Sequence, residues 1–253
     1  PVQNNLIDLW SITDFILPGY LGKLESFKKS YIMNVESARR LEPKMKPILL
    51  RRTLDDVAID LPDLIDIPQP LTMDYLGSKE YNQVRQQIID QYKDNYSLVM
   101  LQRLRMYCAH RNLIYQRRTN PAEKSVKYNR LLEILDEIIA SNEKAIIFTS
   151  WQHMVDILVT DIKWRFRIFT DFLDGRTPVQ DRQMNVDRFN DMQKPAVMVL
   201  NPIAGGVGLN ITGANHVIHY NLEWNPAVVD QATKRAYRIG QNRHVRVYMP
   251  YYV

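Results

Sequence analysis

Apolar residues recur along this chain with two distinct periods. Leu6, Leu9, Trp10, Thr13, Phe15, Ile16 and Leu17 follow a roughly helical spacing, with Asn5 placed to cap the helix and Pro18-Gly19 to stop it. Residues 24–48 read as amphipathic helix, broken at Pro43 and Pro47. The proline-rich piece from Pro62 to Pro70 reads as an extended connection. Two helices are expected over residues 74–95 and 96–114, the second carrying Leu98, Leu101, Leu104 and Cys108 on one side. Residues 125–141 form the most regular helical pattern (Leu131, Leu132, Leu135, Ile138, Ile139), with Ser125 as its cap.

The period then changes. Short continuous apolar runs at 145–148, 166–172, 196–200, 216–220 and 245–249 alternate with helical patterns at 152–163 and 178–190. Runs of that length, apolar at successive positions, suit strands buried on both faces. The rhythm predicts an α/β fold in which at least five parallel strands are flanked by helices.

Composition narrows the class. Apolar content of 45% and charged content of 24% over 253 residues are ordinary for a chain able to bury a real core. Lys+Arg 33 against Asp+Glu 28 leaves +5. The basic residues cluster: Arg103, Arg105, Arg111, Arg117 and Arg118 lie in an acid-free stretch, and Lys234, Arg235, Arg238, Arg243 and Arg246 are opposed only by Asp230. Two such patches favour a polyanion partner. The single Cys108 excludes a disulfide framework and a cysteine-based zinc cluster, and suits a reducing, intracellular compartment. No apolar run reaches the ~18 residues of a membrane span, so no membrane partner is expected.

The chemistry gathers between Val197 and Gln241. An apolar run leads into a turn holding Gly205, Gly206 and Gly208, and a second leads to Trp224-Asn225-Pro226. In the helical pattern that follows, Gln231, Arg235 and Arg238 fall at i, i+4 and i+7, on one helix face. One amide and two guanidiniums at the end of a buried strand suit a triphosphate better than a carboxylate. A dinucleotide fingerprint fails on spacing, because Ile211 stands where its third glycine belongs.

AGGVGLN and QATKRAYRIGQ resemble motifs V and VI of the Swi/Snf-type family of DNA-dependent ATPases, in helicase superfamily two. Pro1 to Asn5 resembles the tail of motif III, so the sequence is expected to begin inside a motif. KAIIFTSWQ, ending at Gln152, resembles motif IV, and Asp174-Gly175 with Thr177, Arg182 and Phe189 resembles the neighbouring DNA-contacting motif. The resemblance implies a RecA-like lobe over residues 124–253. A helical segment (1–60), an inter-lobe linker (61–73) and a helical protrusion (74–123) would precede it. It also implies ATP with Mg2+ as cofactor, the metal being held mainly by an N-terminal lobe.

In that scheme Arg235 and Arg238 are catalytic, and Gln231, Gly206 and Gly208 bind ATP. Thr149, Ser150, Trp151, Gln152, Gly175, Thr177, Arg182 and Trp224 bind DNA, and no residue here ligates a metal. Read from the residues alone, Trp224 could equally be core, and Thr177 could be a helix cap before Pro178. Three positions depart from the family pattern: Lys234 replaces an acid, Tyr237 a histidine and Leu54 a lysine.

No GxxxxGK[ST] loop and no acid–Glu–x–His box is present. The chain is therefore expected to carry half an active site and to be inactive alone, a monomer whose partners are double-stranded DNA and a RecA-like N-terminal lobe. A strand-separating DNA or RNA helicase and a non-catalytic DNA-binding module are the alternatives. WNPAVVDQATKRAYRIGQ argues against the first, and the paired arginines against the second. NPAVVDQAT looks prokaryotic or viral, implying cytoplasm or nucleoid; a eukaryotic source would imply the nucleus.

Overall fold

Residues of the central strands divide their side chains between two cores. On β2 (Lys144–Phe148), Ala145 and Ile147 join one core while Ile146 and Phe148 join the other. On β4 (Ala196–Leu200), Val197 and Val199 face the first, and Ala196, Met198 and Leu200 the second. This alternation with both faces covered is why the strands read as unbroken apolar runs. A computed structural model describes residues 5–50, 61–92, 97–115, 120–123, 125–203 and 208–253. They fall in two compact units divided between Ile59 and Asp60.

The first unit is helical: α1 (Leu6–Ile16), α2 (Leu24–Tyr31), α3 (Val35–Arg39) and α4 (Glu42–Met45). Leu21, Phe27, Leu41 and Met45 form its small core, against which Leu6, Leu9 and Trp10 pack. Asn5 caps α1, its side chain accepting from the Ile7 amide at 3.0 Å. Gly19, at φ +81, makes the turn beyond α1, where a left-handed backbone suits glycine. Residues 24–48 are not one interrupted helix. Asn34 and Ser37 form a capping box that starts α3, and Pro43 sits in the first turn of α4, where its missing amide costs nothing.

The second unit holds a six-stranded sheet, parallel throughout, ordered β1-β6-β5-β2-β4-β3. The remaining strands are β1 (Leu64–Leu71), β3 (Phe169–Leu173), β5 (His216–His219) and β6 (Val245–Tyr252). Helix α5 (Tyr75–Tyr92) pairs with α6 (Ser97–Ala109) and the short α7 (Asn112–Tyr115), around Val84, Ile88 and Tyr107. Helices α8 (Val126–Ala140) and α9 (Gln152–Phe166) cover one face of the sheet, while α10 (Val179–Asp191) contributes Val186 and Phe189 to the other core. Ser125 caps α8 as expected, accepting from the Tyr128 amide at 3.3 Å. The Tyr128 hydroxyl donates to Asp161 at 2.9 Å and so ties α8 to α9.

Three local expectations are corrected. Residues 64–71 are not a bare connection: they form β1, paired in continuous register with β6. Pro68 and Pro70 are tolerated because β1 lies at the sheet edge, where one side has no strand to bond among the described residues. Phe166 ends α9 rather than starting a strand, because Arg167 turns left-handed at φ +52. On α6, Leu98 and Leu101 are exposed, and Tyr107 and Ala109 are buried in their place.

Candidate nucleotide and nucleic-acid site

In a parallel sheet the strands all end at one edge, and there the expected motifs meet. The Thr149 amide bonds the Leu200 carbonyl at 3.0 Å, the Asn201 amide the Leu173 carbonyl at 3.0 Å, and the Asn221 amide the Phe148 carbonyl at 3.4 Å. These bonds lock the segments that follow β2, β4 and β5 into one layer. Side chains reinforce it. The Thr149 hydroxyl donates to Asn221 at 2.7 Å, the Asn201 amide donates to the Ser150 carbonyl at 3.2 Å, and the Ser150 hydroxyl donates to Glu223. Asn201, Asn221 and Glu223 were not anticipated. The only hint in the sequence is a polar residue directly after an apolar run.

Thr149 is buried, and its hydroxyl is taken up by Asn221 in the strand-end lattice. Ser150 and Trp151 are half-buried, and Gln152 opens α9 at the surface. Gly175 is exposed after β3. Thr177 does not cap α10: Pro178 occupies the cap position, and the Thr177 hydroxyl accepts from the Asp174 amide at 3.3 Å. Arg182 donates to the Thr177 carbonyl at 3.0 Å, bracing the same turn. Burial opposes ionisation of Asp174, but hydrogen bonds from Arg176 outweigh it and hold its carboxyl below the usual range.

The arginines are arranged differently from the expectation. Helix α11 (Pro226–Thr233) starts at Asn225, which accepts from the Ala227 amide at 3.0 Å, and ends before Arg235. Gln231, Arg235 and Arg238 therefore do not share a face of one helix. Gln231 lies exposed on α11, Arg238 is exposed in the turns beyond it, and Arg235 folds inward to 7% exposure. Arg235 donates through Nη2 to the Pro202 carbonyl at 3.0 Å, and burial presses its pKa below the usual guanidinium value. Among the described residues its buried Nη1 has no hydrogen-bond partner. Such an orphan is costly and uncommon in a folded protein. An unfilled donor on a cation fits an anionic oxygen arriving at this edge.

Pro202 leads toward the glycine turn. Gly205 and Gly206 lie outside the described residues; Gly208 has φ +99, a conformation that favours glycine. The turn beyond Arg238 is held by Gln241, whose buried amide donates to the carbonyls of Thr212 (3.1 Å), Ala214 (2.8 Å) and Ala236 (3.2 Å). Beneath α11, His219 stacks on Phe148 at 5.3 Å and shares a 2.8 Å hydrogen bond with Thr233. Burial lowers its pKa to about 4, so its ring is neutral near pH 7.

Trp224 is not core. It is 66% exposed beside α6. With Trp151, Leu98, Leu101, Gln102 and Arg105 it lines an open groove of about 370 Å³. Among the described residues, no three His, Cys, Asp or Glu side chains come together to hold a metal ion, and no helix is long and apolar enough to cross a membrane.

A fully parallel sheet, helices on both faces and a strand-end edge furnished with arginine and a glycine turn define a RecA-like helicase lobe. The helicase conserved C-terminal domain model matches residues 126–240, and the SNF2-related domain model matches residues 1–150. The chain belongs to the Swi/Snf-type family of helicase superfamily two, as its C-terminal lobe. It is 37% identical over 265 residues to the putative ATP-dependent helicase/translocase YwqA of Bacillus subtilis, covering 98% of this chain and 29% of that protein. It is 32% identical over 284 residues to the DNA repair and recombination protein RAD26 of Saccharomyces cerevisiae, covering 98% of this chain and 26% of that one. Among solved structures it is similar to the Sulfolobus solfataricus SWI2/SNF2 ATPase core in complex with dsDNA. That match has a TM-score of 0.64 at 30% identity and covers 100% of this chain and 56% of that one. The chain thus spans about a quarter of the length of the curated relatives it matches.

Proposed function

We propose that this chain is the second lobe of an ATP-driven translocase on double-stranded DNA, which remodels protein–DNA complexes without separating strands. The observation that carries the reading is the Nη1 of buried Arg235 at the strand-end edge, which has no partner among the described residues. Orphaned buried donors persist where a ligand completes them. ATP supplies the transferable phosphoryl group; this chain's part is to present guanidinium charge to it. Arg235 would meet the phosphates from inside the lobe, and exposed Arg238 would swing onto them when a RecA-like N-terminal lobe closes. Gln231, Gly206 and Gly208 would complete the nucleotide contacts. The partner lobe would hold Mg2+, which is why the chain is expected to be inactive alone.

Duplex DNA would cross the same edge. Ser150, Trp151, Gln152, Gly175 and the turn braced by Thr177 and Arg182 would meet backbone phosphates, and Trp224 would meet the groove. The Sulfolobus relative's structure with dsDNA supports that placement. The division into helical segment (1–60), linker (61–73), protrusion (74–123) and lobe (124–253) belongs to the same proposal, with β1 of the linker incorporated in the sheet. Work on DNA would place the protein in cytoplasm or nucleoid, or in a nucleus if eukaryotic.

The test is ATP hydrolysis by the full-length protein with no nucleic acid, duplex DNA, single-stranded DNA or RNA, alongside Arg238→Ala. Duplex-stimulated turnover that collapses in the variant supports the reading. Turnover indifferent to DNA, or to loss of Arg238, sinks it in favour of a non-catalytic DNA-binding module.

A further inference from the structure

A tryptophan that is two-thirds exposed needs something to hold its ring in one pose, and Trp224 has one clear candidate. The Arg105 guanidinium lies over the Trp224 ring, 4.6 Å from its centroid, and its Nη2 donates to the Leu222 carbonyl at 2.7 Å. One planar fork thus lies over the ring and bonds the backbone two residues upstream, a pair of contacts a lysine cannot reproduce with the same fixed geometry. The flanking residues are fixed independently: Glu223 by Ser150, and Asn225 by its cap bond to Ala227. The Leu222 carbonyl and the Trp224 ring are both held by Arg105 of α6.

We propose that Arg105 is the positioning residue for Trp224, bracing the ring outward for the DNA and coupling the α5–α6 hairpin to the DNA site. The inference rests on the proposed role of Trp224 and goes beyond it by assigning a residue on a separate element. Arg105 acts through the tryptophan; DNA itself is met by the ring.

The experiment is a double-mutant cycle in the full-length protein: Arg105→Ala, Trp224→Ala and both together. It is read as duplex affinity by fluorescence anisotropy and as duplex-stimulated ATP turnover. Arg105→Ala should weaken duplex binding about five-fold, and Trp224→Ala about ten-fold. The double variant should bind no worse than Trp224→Ala alone, because Arg105 has nothing left to hold. Arg105→Lys should fall between parent and Arg105→Ala, and it carries the test if Arg105→Ala does not fold. Losses that multiply in the double variant would mean Arg105 meets DNA itself, and would overturn the inference. No loss in Arg105→Ala, with Trp224→Ala still impaired, would overturn it while leaving the DNA reading in place. If neither single variant binds duplex more weakly, both readings fall.

Discussion

Lys127 offers a sharp test of the packing described above. It lies in the first turn of α8 with 6% exposure, its ammonium 5.2 Å from the centroid of the buried Tyr220 ring and its backbone amide bonded to the Tyr252 hydroxyl at 3.3 Å. Burial lowers its pKa from 10.5 to about 8, with the nearby Cys108 a smaller, opposing influence. A shift of that size corresponds to ~3 kcal/mol lost from native stability wherever both states are protonated. The sign follows from proton counting. Below about pH 8 folded and unfolded chains both carry the proton, and the cost is full. Between 8 and 10.5 the unfolded chain keeps its proton while the folded one has released it, so stability rises with pH. Lys127→Met keeps most of the stem's packing and removes the charge. It forfeits ~1 kcal/mol of attraction to the Tyr220 ring, leaving a net gain of ~2 kcal/mol at pH 7 that shrinks toward zero as pH approaches 10.5. Urea unfolding of parent and variant, from about pH 6 to pH 10, measures the difference. Burial also raises the pKa values of Cys108 and Tyr252, which work the opposite way in alkali; Tyr252 is present in both proteins and subtracts out, whereas Cys108 is coupled to the Lys127 charge, so the comparison is made with Cys108→Ser in both proteins. A parent as stable as the variant at pH 7, or a gap independent of pH, would refute the reasoning.

Further outcomes are specific. Gly208→Ala should destabilise by ~1 kcal/mol or more and depress turnover, since its φ of +99 rather than crowding is the obstacle. Gly175→Ala, which meets neither a positive φ nor a neighbour within 4 Å, should stay within ~0.5 kcal/mol in the same melt. Arg235→Ala in the full-length protein should lower ATP turnover by ~100-fold or more with duplex affinity changed less than about two-fold, read by steady-state hydrolysis and anisotropy. Duplex affinity should fall steeply with salt, and Arg182→Ala should reduce the log–log slope by about one if that residue meets a phosphate; an unchanged slope would confine it to bracing Thr177.

Much was legible in the chain itself. The change from helical to strand-like apolar spacing near residue 144 marks where the sheet's central strands begin, because a strand buried on both faces must be apolar at every position. The caps at Asn5 and Ser125 are local chemistry, satisfied within three residues. Gly208 likewise declared its left-handed turn. What tertiary structure decided depends on partners far away in sequence. Residues 64–71 became a strand because β6 offered a free edge, and that edge tolerates Pro68 and Pro70. The spacing of Gln231, Arg235 and Arg238 implied one helix face, but α11 stops at Thr233 and Arg235 turns in toward Pro202. Thr149 is consumed by Asn221, and Leu98 and Leu101 face outward beside Trp224. Periodicity along one element reports which of its sides can be buried; only the packed neighbours determine which polar atoms are satisfied there and which, like Nη1 of Arg235, have no partner among the described residues.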